Sequence, residues 1–220
     1  MKKKSRKLFD ECMHKYSPLQ SCAKDILCAF DSLVNCFTQG GKVLVCGNGG
    51  SAADAEHIVS EFMKKFRIKR PADPLISQKL VALGFDFAEH LASQLERALP
   101  AISLVSHSSL ITAIVNDIGG DMIFAQQVYG YGKAGDVLLA LSTSGNSGNV
   151  LTAIKVARAL DMSVIGFTSE TGGKMKSLCN VNVCVPDTVT FQVQELHLPV
   201  YHLLCAMVEE EMFGTDSEST

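Results

Sequence analysis

The stretch that decides the fold begins Lys42-Val-Leu-Val-Cys46 and continues Gly47-Asn-Gly-Gly-Ser51. The first half is a short apolar run next to glycines, a pattern typical of a buried parallel strand. The second half is a loop of small residues, and a helix is predicted to open near Ser51. A strand, a tight turn and a helix in this order predict one unit of a parallel α/β sheet.

The same unit recurs along the chain, so strand and helix are predicted to alternate. This alternation predicts a doubly wound, mostly parallel sheet flanked by helices, and the length of 220 residues predicts a single domain over 1–220. The later strands are predicted at 101–104, 136–141, 163–167 and 181–185, and the later helices at 124–129, 148–160 and 192–211.

Three segments lie outside this alternation. Apolar residues at helical spacing from Leu8 to Phe37 predict one long leading helix, which makes residues 1–40 an N-terminal helical arm. Helical spacing from Phe87 to Leu99 predicts an extra helical insertion at 75–99. The polar residues 214–220 predict a flexible tail.

Composition excludes several function classes. The net charge of −3 gives no general attraction to nucleic acid or to an anionic membrane, and no apolar stretch is long enough to span a bilayer. The eight cysteines include no C-x-x-C pair, and most of them lie in apolar runs. They are therefore predicted to be reduced, buried thiols of a cytoplasmic protein.

Two loops at predicted strand ends are candidate phosphate sites, residues 47–51 and 142–147. In a parallel α/β sheet both loops lie at the carboxyl ends of strands, where helix N-termini present backbone N–H groups to anions. Neither loop matches the P-loop or the dinucleotide fingerprint. A phosphorylated small molecule is therefore the predicted ligand, although small residues are also typical of any tight strand-to-helix turn.

Polar residues at helical spacing form two candidate pairs. His57 and Glu61 are four residues apart, and Gln194 and His202 are eight apart, so each pair shares one helix face. Such pairs suit a metal site or an acid/base pair, and they also occur by chance on solvated helices. Their position favours function, because one pair follows a candidate phosphate loop and the other lies in an apolar helix.

Four ordered motifs carry a family resemblance. They are Gly47-Asn-Gly-Gly-Ser-Ala-Ala-Asp-Ala-Glu-His-Ile-Val-Ser-Glu61, Val115-Asn-Asp117, Leu141-Ser-Thr-Ser-Gly-Asn-Ser147 and Gln194-Glu-Leu-His-Leu-Pro-Val-Tyr-His202. Through them the chain resembles the SIS (sugar isomerase) family, which has a flavodoxin-like fold, and within it the sedoheptulose 7-phosphate or phosphoheptose isomerases. The resemblance implies an aldose-ketose isomerase that supplies heptose for surface polysaccharide, and it implies a homotetramer with active sites between subunits.

The resemblance also implies roles for individual residues. Glu61 matches the catalytic base and His202 the acid. A zinc ion, one per subunit, would be held by His57, Glu61, Gln194 and His202. The implied substrate contacts are Asn48, Gly49, Gly50, Ser51, Glu61, Asn116, Asp117, Ser142, Thr143, Ser144, Ser147 and Gln194.

Two departures from the family pattern bear on function. The family motif T-x-R-I-Q-E is replaced by Thr190-Phe-Gln-Val-Gln-Glu195, so Gln192 stands where arginine is usual. Phosphate or subunit contacts are expected to differ there, and the insertion at 75–99 is expected to alter substrate choice. The main alternative is a non-catalytic SIS-domain protein that binds a sugar phosphate or a replication initiator, and the presence of both Glu61 and His202 favours the enzyme. A SIS-domain lyase or an isomerase of another sugar phosphate also stays open.

Overall fold

A computed structural model describes residues 1–215 and contains a five-stranded sheet. The order across the sheet is β2-β1-β3-β4-β5, and every pairing is parallel. This confirms the predicted α/β class, and the order is that of flavodoxin-like folds. The strands are β1 (Val43–Cys46), β2 (Ala101–Ser103), β3 (Val137–Leu141), β4 (Ser163–Thr168) and β5 (Val181–Cys184).

Helices cover both faces of the sheet. Short 3₁₀ turns at Ser17–Cys22 and Gly120–Met122 join some of them. Within the described residues no helix combines the length and the apolar character needed to cross a membrane. The α-helices are α1 (Lys3–Lys15), α2 (Ala23–Thr38), α3 (Gly50–Met63), α4 (Pro74–Ala82), α5 (Ala88–Gln94), α6 (Ser108–Asp117), α7 (Ile123–Tyr131), α8 (Gly148–Ala159), α9 (Met175–Leu178) and α10 (Thr190–Phe213).

The strands divide the core into two layers, as β1 illustrates. Val43 and Val45 pack into the layer that α1, α2, α3 and α10 cover, whereas Leu44 and Cys46 pack into the layer that α7 and α8 cover. All four side chains are fully buried. Burial on both faces explains why β1 reads as a continuous apolar run instead of an alternating one.

The N-terminal arm is helical but not continuous, so the prediction of one helix from Leu8 to Phe37 is wrong on this point. The chain leaves helical geometry at Tyr16, which has φ −115° and ψ 65°, and passes through the 3₁₀ turn before α2 begins. Pro18 explains the break, because a proline inside a continuous helix lacks the N–H that would bond the carbonyl four residues earlier, and its ring clashes with that carbonyl. The predicted stop is confirmed, since α2 ends at Thr38 and Gly40 adopts a positive φ of 74°.

The region of the predicted insertion contains two short helices, α4 and α5, in place of one helix along Phe87 to Leu99. Phe87 has a left-handed φ of 63° and precedes α5, which ends before Leu95. An antiparallel bridge joins Pro71 to Glu96, so the chain leaves the body of the protein and returns to it at one point. Of the predicted flexible tail, residues 216–220 lie outside the described part of the chain.

Candidate active site

The first loop connects β1 to α3 and brings α3 against α10. A Cβ atom on Gly50 would lie 2.6 Å from the Nε2 atom of Gln194, a distance that side chains cannot adopt. Any larger residue at position 50 would therefore displace the end of the Gln194 side chain from the first turn of α3. The same contact places the side-chain amide of Gln194 next to the first loop.

The second loop, between β3 and α8, is closed by its own serines. The hydroxyl oxygens of Ser142 and Ser147 lie 2.9 Å apart across it. Gly145 has a φ of 64°, and a Cβ there would lie 2.2 Å from the carbonyl oxygen of Gly172. Both the backbone angle and the contact require glycine, so the loop is packed tightly against residues 172–173.

Two asparagines link the loops to each other. Asn48 in the first loop and Asn149 in the first turn of α8 exchange two amide hydrogen bonds, each 2.9 Å long. The Oδ1 atom of Asn149 also accepts the backbone N–H of Val150. This pair fixes the spacing between the starts of α3 and α8.

The two loops and the start of α10 enclose a cavity of about 300 Å³. The N-termini of α3, α8 and α10 all meet it, and helix N-termini favour anions because their first N–H groups lack helical partners. Hydroxyl and amide side chains in the wall add further donors. The cavity is lined by Asn48, Gly49, Gly50, Ser51, Leu141, Ser142, Thr143, Ser147, Thr190 and Gln194.

The structure does not bring every predicted contact to this cavity. Ser144 is exposed, and its hydroxyl oxygen accepts the backbone N–H of Asn146 at 3.2 Å. Asn116 donates to the carboxylate of Asp117 at 2.8 Å, at the exposed end of α6. Neither these three predicted residues nor the partly buried Gln192 is among the residues that line the cavity.

A second cluster of polar side chains lies further along α3 and α10. The Nε2 atom of His57 is 3.3 Å from the Oε1 atom of Glu61 and 3.4 Å from the Nε2 atom of His202. The Glu61 side chain is only 11% exposed, and its other oxygen lies 3.3 Å from the ammonium group of Lys64. His57 and Glu61 therefore lie on one face of α3, as predicted, and His202 on α10 contacts His57.

These distances allow a test of whether the residues fit zinc. Ligand atoms 2.0–2.1 Å from a tetrahedral zinc ion lie roughly 3.3–3.4 Å from one another, which matches both contacts of the His57 Nε2 atom. Among residues 1–215, however, no set of three or more His, Cys, Asp and Glu side chains is arranged so that it could already hold a metal ion. Gln194, the fourth predicted ligand, lines the loop cavity. The His57–Glu61 and His57–His202 distances fit zinc. A complete zinc site requires the remaining donor atoms to move closer to one another.

The hydroxyl group of Tyr201 connects His57 to an acidic group. It donates to the Oδ1 atom of Asp54 at 3.2 Å and lies 3.1 Å from the Nδ1 atom of His57. Burial, and then the neighbouring Asp54, raise the pKa of the Tyr201 phenol, so the phenol keeps its proton. Burial likewise raises the pKa of Asp54, although the hydrogen bond from Tyr201 lowers it.

His202 lies in a mostly aromatic environment. Its ring stacks on Phe66 at 5.6 Å between centroids and meets the Tyr201 ring edge-on at 4.9 Å. Burial and the neighbouring His57 lower the pKa of His202, whereas Glu61 raises it. A neutral imidazole can still donate its N–H proton to an oxyanion, so a lowered pKa is compatible with the predicted role as acid.

A family model described as the SIS domain matches residues 16–98 and 91–169. The match includes β1 to β4 and both cavity loops, and it ends before α10. The sheet topology and the matched loops together define a protein of the SIS-domain class.

Individual relatives match about nine tenths of the chain. A phosphoheptose isomerase of Rhodospirillum rubrum is 41% identical over 88% of this chain and 89% of its own, and one of Shewanella pealeana is 38% identical over 91% and 90%. The solved phosphoheptose isomerase of Neisseria gonorrhoeae is 33% identical, with a TM-score of 0.72 over 92% of this chain and 95% of its own. The chain therefore belongs to the phosphoheptose isomerase family of SIS-domain proteins.

Sequence reasoning missed four residues of the site. The available signal for Asp54 and Lys64 was helical spacing, because Asp54 lies three residues before His57 and Lys64 three after Glu61. Tyr201 reads as a core residue because it lies in an apolar helix. A signal was available for Thr190, because a hydroxyl residue at a predicted helix start is a candidate donor to an anion.

Proposed function

We propose that the chain converts sedoheptulose 7-phosphate to D-glycero-D-manno-heptose 7-phosphate, a precursor of surface-polysaccharide heptose. The observation that carries this proposal is the approach of Glu61 on α3 to the imidazoles of His57 and His202, further along the same two helices that open at an anion-binding cavity. The phosphoheptose isomerases that are 38% and 41% identical to the chain support the same reaction.

The reaction moves one proton between neighbouring carbons. A base removes a proton from C1 of the ketose, beside the C2 carbonyl, and gives an enediolate. The proton returns at C2, while O2 gains a proton and O1 loses one, so no atoms are lost overall. Glu61 is the proposed carbon base, and His202 is the proposed donor to the oxygen, since a positioned carboxylate and imidazole can share these transfers.

The loop cavity is the proposed phosphate site. Ser142, Ser147 and Thr190 supply hydroxyl donors, and three helix N-termini supply backbone donors without a positively charged side chain in the wall. Such donors hold the phosphate equally well before and during reaction, so they anchor the substrate and leave the chemistry to Glu61 and His202.

We also propose that His57, Glu61, Gln194 and His202 hold one zinc ion. The two distances that match a tetrahedral zinc site support this proposal. When bound, the ion would polarise the carbonyl oxygen and stabilise negative charge that develops on it. The protein's own part is to hold His57 and Glu61 in fixed positions on α3 and to pack the His202 ring against Phe66 and Tyr201.

The proposed base is tested by Glu61→Gln, which keeps the size of the side chain and removes its basicity. Turnover of sedoheptulose 7-phosphate should fall by about 10²–10⁴-fold, because that is the usual contribution of one general base. Glu56→Gln on the exposed face of α3 is the matched control and should keep the wild-type rate. A Glu61→Gln enzyme with wild-type turnover would exclude Glu61 as the base.

The proposed zinc ion is tested by elemental analysis of purified protein. About one zinc per chain is expected, since the proposed ligands form a single set. His57→Ala should lose both the ion and the activity, and His14→Ala on the exposed face of α1 should lose neither. A metal-free wild-type enzyme that is fully active in strong chelator would refute the zinc proposal.

We also propose a reducing compartment and a tetrameric assembly. All eight cysteines lie in the described residues as free thiols, which supports a reducing compartment such as the cytoplasm. Four of them are buried, but Cys28 is exposed, so the prediction of buried thiols is wrong for that residue. Burial raises the pKa of Cys36 to about 11 and that of Cys46 to about 12, so these thiols are unreactive. A homotetramer is proposed from the family resemblance and from exposed apolar side chains on the insertion.

A further inference from the structure

Three polar groups from two helices form a linear chain of contacts that ends at His57, one of the proposed metal ligands. Asp54 and His57 lie three residues apart on one face of α3, and Tyr201 reaches between them from α10. Tyr201 is 1% exposed, and a buried tyrosine hydroxyl needs a hydrogen-bond partner. The contacts with Asp54 and His57 provide two.

The direction of these hydrogen bonds is fixed by the number of protons. A phenol has one O–H proton, and Tyr201 donates it to the Oδ1 atom of Asp54. The same oxygen can then only accept from the Nδ1 atom of His57, 3.1 Å away. The contact is a hydrogen bond only if Nδ1 carries a proton.

We infer that Tyr201 is a positioning residue that keeps a proton on Nδ1 of His57 and so leaves Nε2 as the nitrogen free to bind a metal ion. In a neutral imidazole one nitrogen donates and the other has a free electron pair, so the bond at one nitrogen decides the role of the other.

The surroundings of Nε2 show what this proton placement achieves. Nε2 faces the Oε1 atom of Glu61 at 3.3 Å and the Nε2 atom of His202 at 3.4 Å. If the proton were on Nε2, it would be donated to Glu61, and the nitrogen that faces Glu61 and His202 would have no electron pair to offer a metal. Tyr201 therefore prevents the zinc-free protein from settling in a neutral state that blocks the site.

The first test is ¹⁵N NMR of histidine-labelled protein at about pH 8.5, two units above the ordinary histidine pKa. His57→Gln identifies the His57 signals among the six histidines. The expected result is a protonated Nδ1 in the wild type and an unprotonated Nδ1 in Tyr201→Phe. An unprotonated Nδ1 in the wild type, or an unchanged Nδ1 proton in Tyr201→Phe, would overturn the inference. The measurement needs neither zinc nor turnover, so it stands apart from the proposed function.

Variants of Asp54 separate proton placement from packing. Asp54→Asn keeps the Oδ1 acceptor and puts an NH₂ group where the Oδ2 atom already has no partner among the described residues, so Nδ1 should stay protonated. Asp54→Ala removes the acceptor and frees the tyrosine proton to point at His57, so Nδ1 should lose its proton. If both variants behaved alike, the inference would fail. Tyr129→Phe, at a tyrosine that is 69% exposed on α7, is the control for loss of a hydroxyl and should change nothing.

The second test, which rests on the zinc proposal, is a competition titration with a chelator. Loss of the partner that orients a metal-binding histidine usually weakens metal binding by about 10–100-fold, and this loss is expected for Tyr201→Phe. Asp54→Asn should bind zinc as the wild type does. Wild-type zinc affinity in Tyr201→Phe would show that the proton on Nδ1 has no part in metal binding.

Discussion

His197 is a titratable residue that the proposed chemistry does not use. It is fully buried on α10 and packs against Phe167, and its Nε2–H donates to the carbonyl of Thr168 at 3.3 Å. Its Nδ1 atom has no partner within the described residues. Burial lowers the pKa of His197 to about 4, so the folded protein holds this ring neutral.

The consequence is a loss of stability in mild acid. In the unfolded chain His197 has an ordinary histidine pKa near 6.5. Between about pH 6.5 and pH 4 the unfolded chain therefore binds a proton at His197 and the folded protein does not. Stability is therefore full above this window and falls as the pH drops through it. Urea unfolding at about pH 7.5 and pH 5 should show a loss about 2 kcal/mol larger for the wild type than for His197→Met, because a unit of pKa difference is worth about 1.4 kcal/mol. Equal losses in the two proteins would contradict this expectation, and His14→Gln should behave as the wild type.

At the scale of elements, a buried ion pair joins the segment after α3 to α10. Arg70 and Glu209 are both 0% exposed and lie 2.8 Å apart. The Glu209 carboxylate also accepts the backbone N–H groups of residues 66–68, and Arg70 donates to the carbonyls of Glu61 and Phe62. The pair thus closes the C-terminal end of the helix that carries the proposed base.

Breaking this pair should cost far more than breaking an exposed one. Arg70→Met leaves the Glu209 charge buried without its partner, which typically costs about 3–5 kcal/mol of unfolding free energy. Glu11→Gln removes the exposed pair with Lys7 and should cost under about 1 kcal/mol. Denaturant unfolding measures both. A cost for Arg70→Met as small as that for Glu11→Gln would mean that the pair does not anchor this segment.

The elements that sequence predicted well are those that local chemistry determines. β1 and β3 are continuous apolar runs next to glycine or polar residues, so they were placed within one residue of their observed ends. The break in the N-terminal arm was signalled by Pro18 but was outweighed by the apolar spacing on either side of it. The prediction of one helix in the insertion was wrong for another reason. Phe87 and Leu91 have helical spacing, but they are 79% and 46% exposed, so the spacing did not indicate a buried helix face.

The site was predictable to the extent that its residues lie on one element. His57 and Glu61 were paired correctly because four residues of helix fix their relation. Contacts between elements could not be derived in the same way, because the approach of α10 to α3 depends on packing of the whole layer. Tyr201 could not be found for this reason. Gln194 was predicted both as a substrate contact and as a metal ligand, and it lines the loop cavity.

At the scale of the whole molecule, the insertion gives the chain an apolar surface. Leu83, Phe85 and Phe87 are 63%, 62% and 79% exposed. Monomeric soluble proteins rarely expose such groups together, so a partner surface is expected to cover them. Light scattering should give four times the chain mass of 23.7 kDa. A stable monomer with full activity would refute the proposed tetramer and the idea that the site is completed between subunits.

Under the proposed function, the lengths of α3 and α10 set the distance between the bound phosphate and the carbon that reacts. Both helices begin at the loop cavity, and Glu61 lies ten residues beyond Ser51 while His202 lies eight beyond Gln194. At a rise of 1.5 Å per residue these separations are about 15 and 12 Å, and side chains lean back toward the helix N-terminus. A heptose 7-phosphate measures roughly 10 Å from phosphorus to C1 at ordinary bond lengths. If the loop cavity holds the phosphate, as proposed, the reacting end of a pentose phosphate would lie further from Glu61 than that of a heptose phosphate, and substitutions in the loops are expected to change affinity without changing which carbon reacts.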